Sequence, residues 1–285
     1  MQIGRWGVWY PLDRLDAAQL RAFLGTVERL GYDVLWYPEA LGYESMSLAG
    51  FLLASTRRLK IGSSIASIYA RDAFTARRGL RGLTRLYDGR FILGLGVSHA
   101  PMVEGVRGHR YEKPLAAMRA YLDALTRDQE GAADWPVALA ALGPKMLALA
   151  AERTSGALPY NTTPEHTARA KAILGPDKWL VVEQKVCLET DPAKARALGR
   201  RELARYMAMP NYRDHWGRLS FTEQDFAAGG SDRFIDAMLL WGDAATVRRK
   251  LHAHVEAGAT QVCLQPVHPE GDWAARDAIL TALTG

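Results

Sequence analysis

The sequence predicts a (β/α)8 barrel, and three observations point there. Strand-like apolar runs recur eight times with helical patterns between them, an alternation that forces parallel pairing through right-handed crossovers. One of the runs, Phe91 to Val97 in "GRFILGLGVSHAP", is continuously apolar, the pattern of a strand covered on both faces. The chain has 285 residues, 48% of them hydrophobic and 24% charged, enough for one large α/β core. An open doubly wound sheet is the alternative, but no GxGxxG follows the first strand; a Gly-Leu-Gly stands instead at the fourth.

The strands fall at 3–10, 33–39, 60–69, 90–98, 136–142, 156–161, 178–189 and 260–267. Helices are expected at 16–30, 46–58, 73–87, 113–127, 144–154, 164–174, 192–208 and 243–257. Some helix starts carry their own chemistry. In "NTTPEHTARAK", Thr163 is placed to cap, Pro164 to take the first helical position and Glu165 to favour the positive helix end, while Gly175-Pro176 is a strong stop. Residues 209–242 are too long for a loop and hold Tyr212, Trp216, Phe221 and Phe226. They are expected to form extra helices between strands seven and eight, as a lid or a dimer contact, within a single domain spanning 1–285.

Composition narrows the class. No run approaches 18 apolar residues, so no membrane partner is expected, and the opening "MQIGRWGVWY" reads as a strand rather than a signal peptide, which makes the cytoplasm the expected location. Cys187 and Cys263 both lie in apolar runs, arguing for buried thiols over a disulfide framework. The net charge of +5 is spread along the chain, which gives nucleic-acid binding little support. Arg77, Arg78, Arg81 and Arg85 read as a solvated helix face, with a hold on an anionic cofactor tail as the sharper alternative. Metal binding is weakly indicated: His252 and His254, two apart, share no helix face, and there is no HExxH. There is no GxSxG elbow either.

In a barrel the chemistry sits at the carboxyl ends of the strands. Those ends carry Trp9 and Tyr10, Glu39, "SSIASIY" with Tyr69, Ser98 and His99, "GPKM", and Pro159-Tyr160-Asn161. Aromatic walls with a few convergent polar groups suit a flat conjugated ring and a small-molecule substrate. Gly94 and Gly96 imply close approach of a backbone or a ligand. Gly143 and Pro144 open a helix whose free N–H groups at Lys145 and Met146 make an anion site, the plain alternative being an ordinary helix start. His99 reads either as a hydrogen-bonded structural residue or as a titrating group held in a turn by Pro101.

The order "GRFILGLGVSHAPMVEG", "LGPKMLALAAERTSGALPYNTTPEHTARAKAILGP", "NYRDHWGRLSF" and "AGATQVCLQPV" resembles the bacterial luciferase-like superfamily, and within it the branch of coenzyme F420-dependent oxidoreductases. The resemblance implies a bulge at Ser64–Ile65, with Ala66 beyond it, supporting a deazaflavin ring, and often a non-prolyl cis peptide there. It implies a ring edge lined by Gly96, Val97, Ser98 and His99, and a phosphate segment at Gly143, Pro144, Lys145 and Met146. Pro159 and Tyr160 are expected to close the tail channel. Related sugar-phosphate dehydrogenases carry Asp-His after strand two where this chain has Pro38-Glu39-Ala40, so His99 is the expected proton carrier and Glu39 its orienter or second acid, with Trp9 and Tyr69 shaping the substrate wall. The implied reaction is hydride transfer between the deazaflavin and a ketone, enone or imine. The alternatives are a flavin mononucleotide (FMN) monooxygenase served by a partner reductase, and a barrel that binds cofactor without catalysis. A homodimer is implied as well.

Overall fold

Eight parallel strands close on one another in the computed structural model, which describes residues 1–284. In chain order the elements are β1 (Trp6–Trp9), α1 (Ala17–Arg29), β2 (Val34–Tyr37), α2 (Ser45–Ala54), β3 (Lys60–Ser63), β4 (Ala66–Ser67), α3 (Ala73–Leu86) and β5 (Phe91–Gly96). They continue with α4 (Pro114–Thr126), β6 (Val137–Leu139), α5 (Pro144–Arg153), β7 (Gly156–Ala157), α6 (Pro164–Leu174), β8 (Trp179–Cys187) and α7 (Pro192–Met207). The last are α8 (Pro210–Gly217), α9 (Glu223–Phe226), α10 (Asp232–Met238), β9 (Leu239–Trp241), α11 (Ala244–Glu256), β10 (Gln261–Pro266) and α12 (Trp273–Leu283). β10 pairs with both β1 and β8 and closes the cylinder.

Local chemistry supports the elements. Asp16 and Gln19 form a reciprocal capping box on α1, and Thr163 caps α6 through the His166 N–H with Pro164 in the first turn. Gly175 then ends α6 with φ at 82°. The strands' inner faces bury Val34, Trp36, Ile92, Ala138, Leu158, Val181 and Cys263 inside the barrel, while their outer faces join the helices in a larger core. Both cysteines are buried, and burial raises both thiol pKa values, that of Cys187 to about 11. Arg78, Arg81 and Arg85 are exposed on α3, where Arg81 also reaches Gln129. Among the described residues no helix is long and apolar enough to cross a membrane.

Several boundaries differ from expectation. The strand expected over 60–69 is broken: β3 and β4 both pair with β5, and Ser64–Ile65 bulges between them. The strands expected over 136–142 and 156–161 shrink to β6 and β7, because the chain leaves the sheet early to approach the barrel mouth. The expected helix 46–58 ends at Ala54, and α12 and a π-helical turn at Pro101–Val106 were not foreseen.

The largest correction concerns the insertion. The helix expected at 192–208 exists, but it is not the outer helix that follows strand seven. α7 packs on α8 and α10, whereas α11 packs against α6, β8, β10 and α12 and so takes that outer place. The insertion therefore begins at Pro192 rather than near 209. α7 lies over the carboxyl ends of the strands, with Glu202 accepting from Gln265, Arg201 donating to the His268 carbonyl and Tyr206 meeting Tyr160. Helices α7 to α10 share their own apolar core of Leu203, Tyr206, Tyr212, Trp216, Phe226 and Phe234, which rests on Leu142 and Tyr160. The cap is fastened to the barrel by the Trp216 indole N–H, which donates to the Asn161 carbonyl at 2.9 Å.

Candidate active site

The mouth of the barrel is built on one side by the bulge. The Ser64–Ile65 peptide is cis, the Ser64 N–H donates to the Tyr37 carbonyl and the Ile65 carbonyl accepts from the Glu39 N–H. Gly94 and Gly96 are explained here. A Cβ on Gly94 would stand 1.9 Å from the Ser63 carbonyl oxygen, and one on Gly96 would stand 2.4 Å from Cγ1 of Ile65. The close neighbour is thus the bulge itself, and Gly96 serves by admitting Ile65 rather than by facing a ligand. Ala66 lies buried in β4 opposite Leu95, and Val97 packs partly on the outer core.

Beyond β5 the chain turns sharply: Ser98 has φ at +56°, and the His99 carbonyl accepts from both Met102 and Val103. This turn presents the His99 imidazole to α8, where the Tyr212 ring lies 5.8 Å away. Burial pushes the imidazole pKa down; the Asn211 amide opposes this and the positive charge of Arg205 adds to it. The site therefore holds His99 neutral near pH 7.

Trp9 and Tyr160 form the floor, their ring centroids 4.9 Å apart. Trp9 is 4% exposed, its indole N–H has no partner, and it lines a cavity of about 10 Å³, room for about one water, with Trp36, Ser64, Leu158, Pro159, Val181, Glu183 and Cys263. The expectation that Pro159 and Tyr160 close a tail channel is corrected by this geometry. β7 ends early and turns both residues into the top of the barrel interior, where the Tyr160 hydroxyl meets Tyr206 and Gln265, both at 2.9 Å.

Glu39 is corrected too. One carboxylate oxygen accepts from the Arg71 guanidinium and the Ser45 N–H, the other from the Ser67 N–H, and the side chains of Glu39 and Arg71 are only 2% and 5% exposed. Its oxygens are consumed in tying the start of α2 and the β4 strand together, so it does not orient His99. Tyr69 is half-buried against His109 and Tyr111, whose hydroxyl reaches the Ser98 carbonyl, and so stands behind the turn that carries His99.

At the start of α5, Pro144 and Lys145 are exposed, and Gly143 provides no side-chain cap. The Arg218 guanidinium, from just beyond α8, lies 3.8 Å from where a Gly143 Cβ would be. An uncapped helix start with two cations beside it suits an anionic group. Met146 instead turns toward the outer core.

Sequence reasoning missed a buried polar group beneath the mouth. Lys185 is 1% exposed; its ammonium donates to Asn161 Oδ1 at 2.5 Å and to Glu183 Oε1 at 3.2 Å and lies 4.1 Å from the Tyr160 ring centroid. Burial lowers the Lys185 pKa and raises that of Glu183, each opposed by the other's charge. The signal was present: Glu183 and Lys185 are two apart in an apolar strand, hence on one face. Asn211, Tyr212, Arg205 and Tyr206 had no such signal, because their place depends on how the cap folds back.

Fold and mouth together define a (β/α)8 barrel with a helical cap, and residues 5–135 are similar to the family model described as luciferase-like monooxygenase. A Mycobacterium tuberculosis protein provisionally named a coenzyme F420-dependent oxidoreductase is 26% identical over 92% of this chain and 93% of its own. Two solved structures share the fold. An F420-dependent secondary alcohol dehydrogenase in complex with an F420-acetone adduct superposes with a TM-score of 0.78 at 14% identity, over the whole of both chains. The oxygenating constituent of 3,6-diketocamphane monooxygenase from Pseudomonas putida, in complex with FMN, gives 0.72 at 15% identity, over 99% of this chain and 96% of its own.

Proposed function

We propose that this protein is a coenzyme F420-dependent oxidoreductase that moves a hydride between the deazaflavin and a small ketone, enone or imine, with His99 handling the proton. The observation that carries the reading is the placement of a neutral, half-buried imidazole at the end of β5, 5.8 Å from the Tyr212 ring, which in turn lies 6.4 Å from the Tyr160 ring. The relative from M. tuberculosis supports the cofactor by its name.

The residues present fit such a group. The uncapped α5 start with Lys145 and Arg218 suits the phosphate-bearing tail of such a group. When bound, the reduced deazaflavin supplies a hydride, two electrons on one proton. A carbonyl carbon that took that hydride would break its carbon–oxygen π bond, and its oxygen would take a proton from His99 in the imidazolium form; in the oxidation direction the neutral imidazole would be the base that receives the alcohol proton. From the cap, the Tyr212 ring packs beside the imidazole at 5.8 Å.

Side-by-side fluorescence titration with oxidised F420 and with FMN tests the reading. Binding of F420 in the micromolar range with weaker FMN binding is the expected result. Preference for FMN, followed by oxygen consumption with reduced flavin, would replace it with a monooxygenase, a reading that the FMN-bound neighbour of similar fold keeps in view. Tight F420 binding with no turnover of any carbonyl compound would leave a storage barrel.

A further inference from the structure

One cation at the mouth has no acid partner. Arg205 stands in the last turn of α7; its guanidinium covers the Tyr206 ring at 4.6 Å and donates to the Tyr206 hydroxyl. Tyr206 is in turn held by Tyr160, so the cation rests on a fixed aromatic support. Elsewhere in the cap Arg196 is paired with Asp232 and Asp236, Arg200 with Asp232, Arg213 with Glu223, and Arg233 with Asp225. Among the described residues no carboxylate lies within 4 Å of Arg205; Glu202, one turn earlier, spends an oxygen on Gln265 instead. The Tyr206 ring that carries Arg205 packs 5.1 Å from Tyr212, which lies 5.8 Å from the His99 ring, so Arg205 belongs to the same mouth and its charge acts on His99.

We propose that Arg205 is the subsite for a carboxylate on the substrate, so that the compound transformed beside His99 is an oxo acid or a carboxylated enone rather than a neutral carbonyl compound. The inference rests on the oxidoreductase reading and names its substrate class. A guanidinium pairs with a carboxylate through two parallel N–H···O bonds, and one preorganised on Tyr206 gives up little side-chain freedom to do so. The pairing also has a consequence for the proton. A carboxylate that neutralises Arg205 removes a positive charge from the surroundings of His99, so the imidazole holds its proton better when the acid is bound. Arrival of the right substrate thus prepares the acid that reduction needs.

The test uses benzoylformate and 3-benzoylacrylate, each against its methyl ester, with reduced F420 and the wild-type, Arg205→Met and Arg205→Lys proteins. The expected result is a wild-type preference for the acids of about ten-fold or more in kcat/KM, the scale of a charge-assisted hydrogen bond. Arg205→Met should abolish the preference, mainly through KM, and Arg205→Lys should restore part of it. Equal use of acid and ester by the wild type, or an equal loss for both in Arg205→Met, would overturn the subsite. Calorimetric titration with benzoylformate reads it without turnover. Binding that weakens about ten-fold in Arg205→Met supports the subsite even if F420 chemistry fails, whereas no binding to the wild type overturns it.

Discussion

The Lys185 ammonium lies 4.1 Å from the ring centroid of Tyr160 and 3.2 Å from Glu183 Oε1, wholly enclosed beneath the barrel mouth. Removing one partner of such a pair strands the other. Lys185→Met should destabilise the protein by about 3–5 kcal/mol, and the double variant Glu183→Gln, Lys185→Met should recover much of that loss. Urea unfolding of the three proteins measures both; equal stability of the single and double variants would show that the two charges do not depend on each other.

His99→Ala should slow turnover by about 100-fold or more while F420 affinity stays within a few-fold, since the imidazole handles a proton rather than the cofactor. The pH profile has a defined sign. The folded pKa of His99 lies below its ordinary value, so the reduction direction, which needs the protonated ring, should rise as pH falls through that pKa. Oxidation should rise in the opposite sense. Both limbs should vanish in the variant.

Glu39→Gln separates structure from chemistry. Its carboxylate holds Arg71 and two backbone N–H groups, so the amide should lower stability by about 1–3 kcal/mol and leave the pH profile of turnover in place. A profile that changed would return Glu39 to the proton path.

Gly94→Ala would drive a Cβ to 1.9 Å from the Ser63 carbonyl oxygen, and neither backbone can yield without breaking the sheet. It should cost about 3 kcal/mol or more and yield little soluble protein. Gly82→Ala, in α3 with open space around it, is the control and should stabilise by roughly 0.5–1 kcal/mol. Thermal melts compare the two.

Acid should loosen both the joint between cap and barrel and the seat of α11 on the barrel. His166 and His215 meet edge to face at 4.7 Å, and His254 bridges Thr167 and Gln184. Burial lowers all three pKa values, to about 3 for His215 and about 4 for His254. Because the folded values lie below the unfolded one near 6.5, the unfolded chain binds more protons, and stability present above that pH is lost as pH falls toward 4. At pH 5 His215 and His254 each forfeit roughly 2 kcal/mol, so Tm should drop by roughly 10 °C from its value at pH 7. His254→Gln should shrink the drop.

The barrel was legible because each strand and helix carries its own local signal. Phe91 to Gly96 is apolar on both faces, Thr163-Pro164 starts a helix and Gly175 ends one, and each signal acts within a few residues. The turn at Ser98 and His99 was legible for the same reason. Glu39 misled because a carboxylate at a strand end looks alike whether it faces a substrate or an arginine 32 residues away, and Tyr160 misled because β7 stops after two residues and turns the ring inward.

By itself, then, the sequence determined the order of strands and helices, the face of β8 on which Glu183 and Lys185 stand, and the end of the barrel where His99 emerges. These follow from backbone periodicity and local turn chemistry. Only the tertiary structure decided that α7 crosses the mouth instead of joining the outer ring, that Tyr212 meets His99, and that Arg205 lies without an acid partner beside Tyr206. The contacts that hold α7 over the barrel join residues 46 to 67 positions apart, and what brings them together is the burial of the cap's own aromatic core, a long-range term that no short stretch of chain contains.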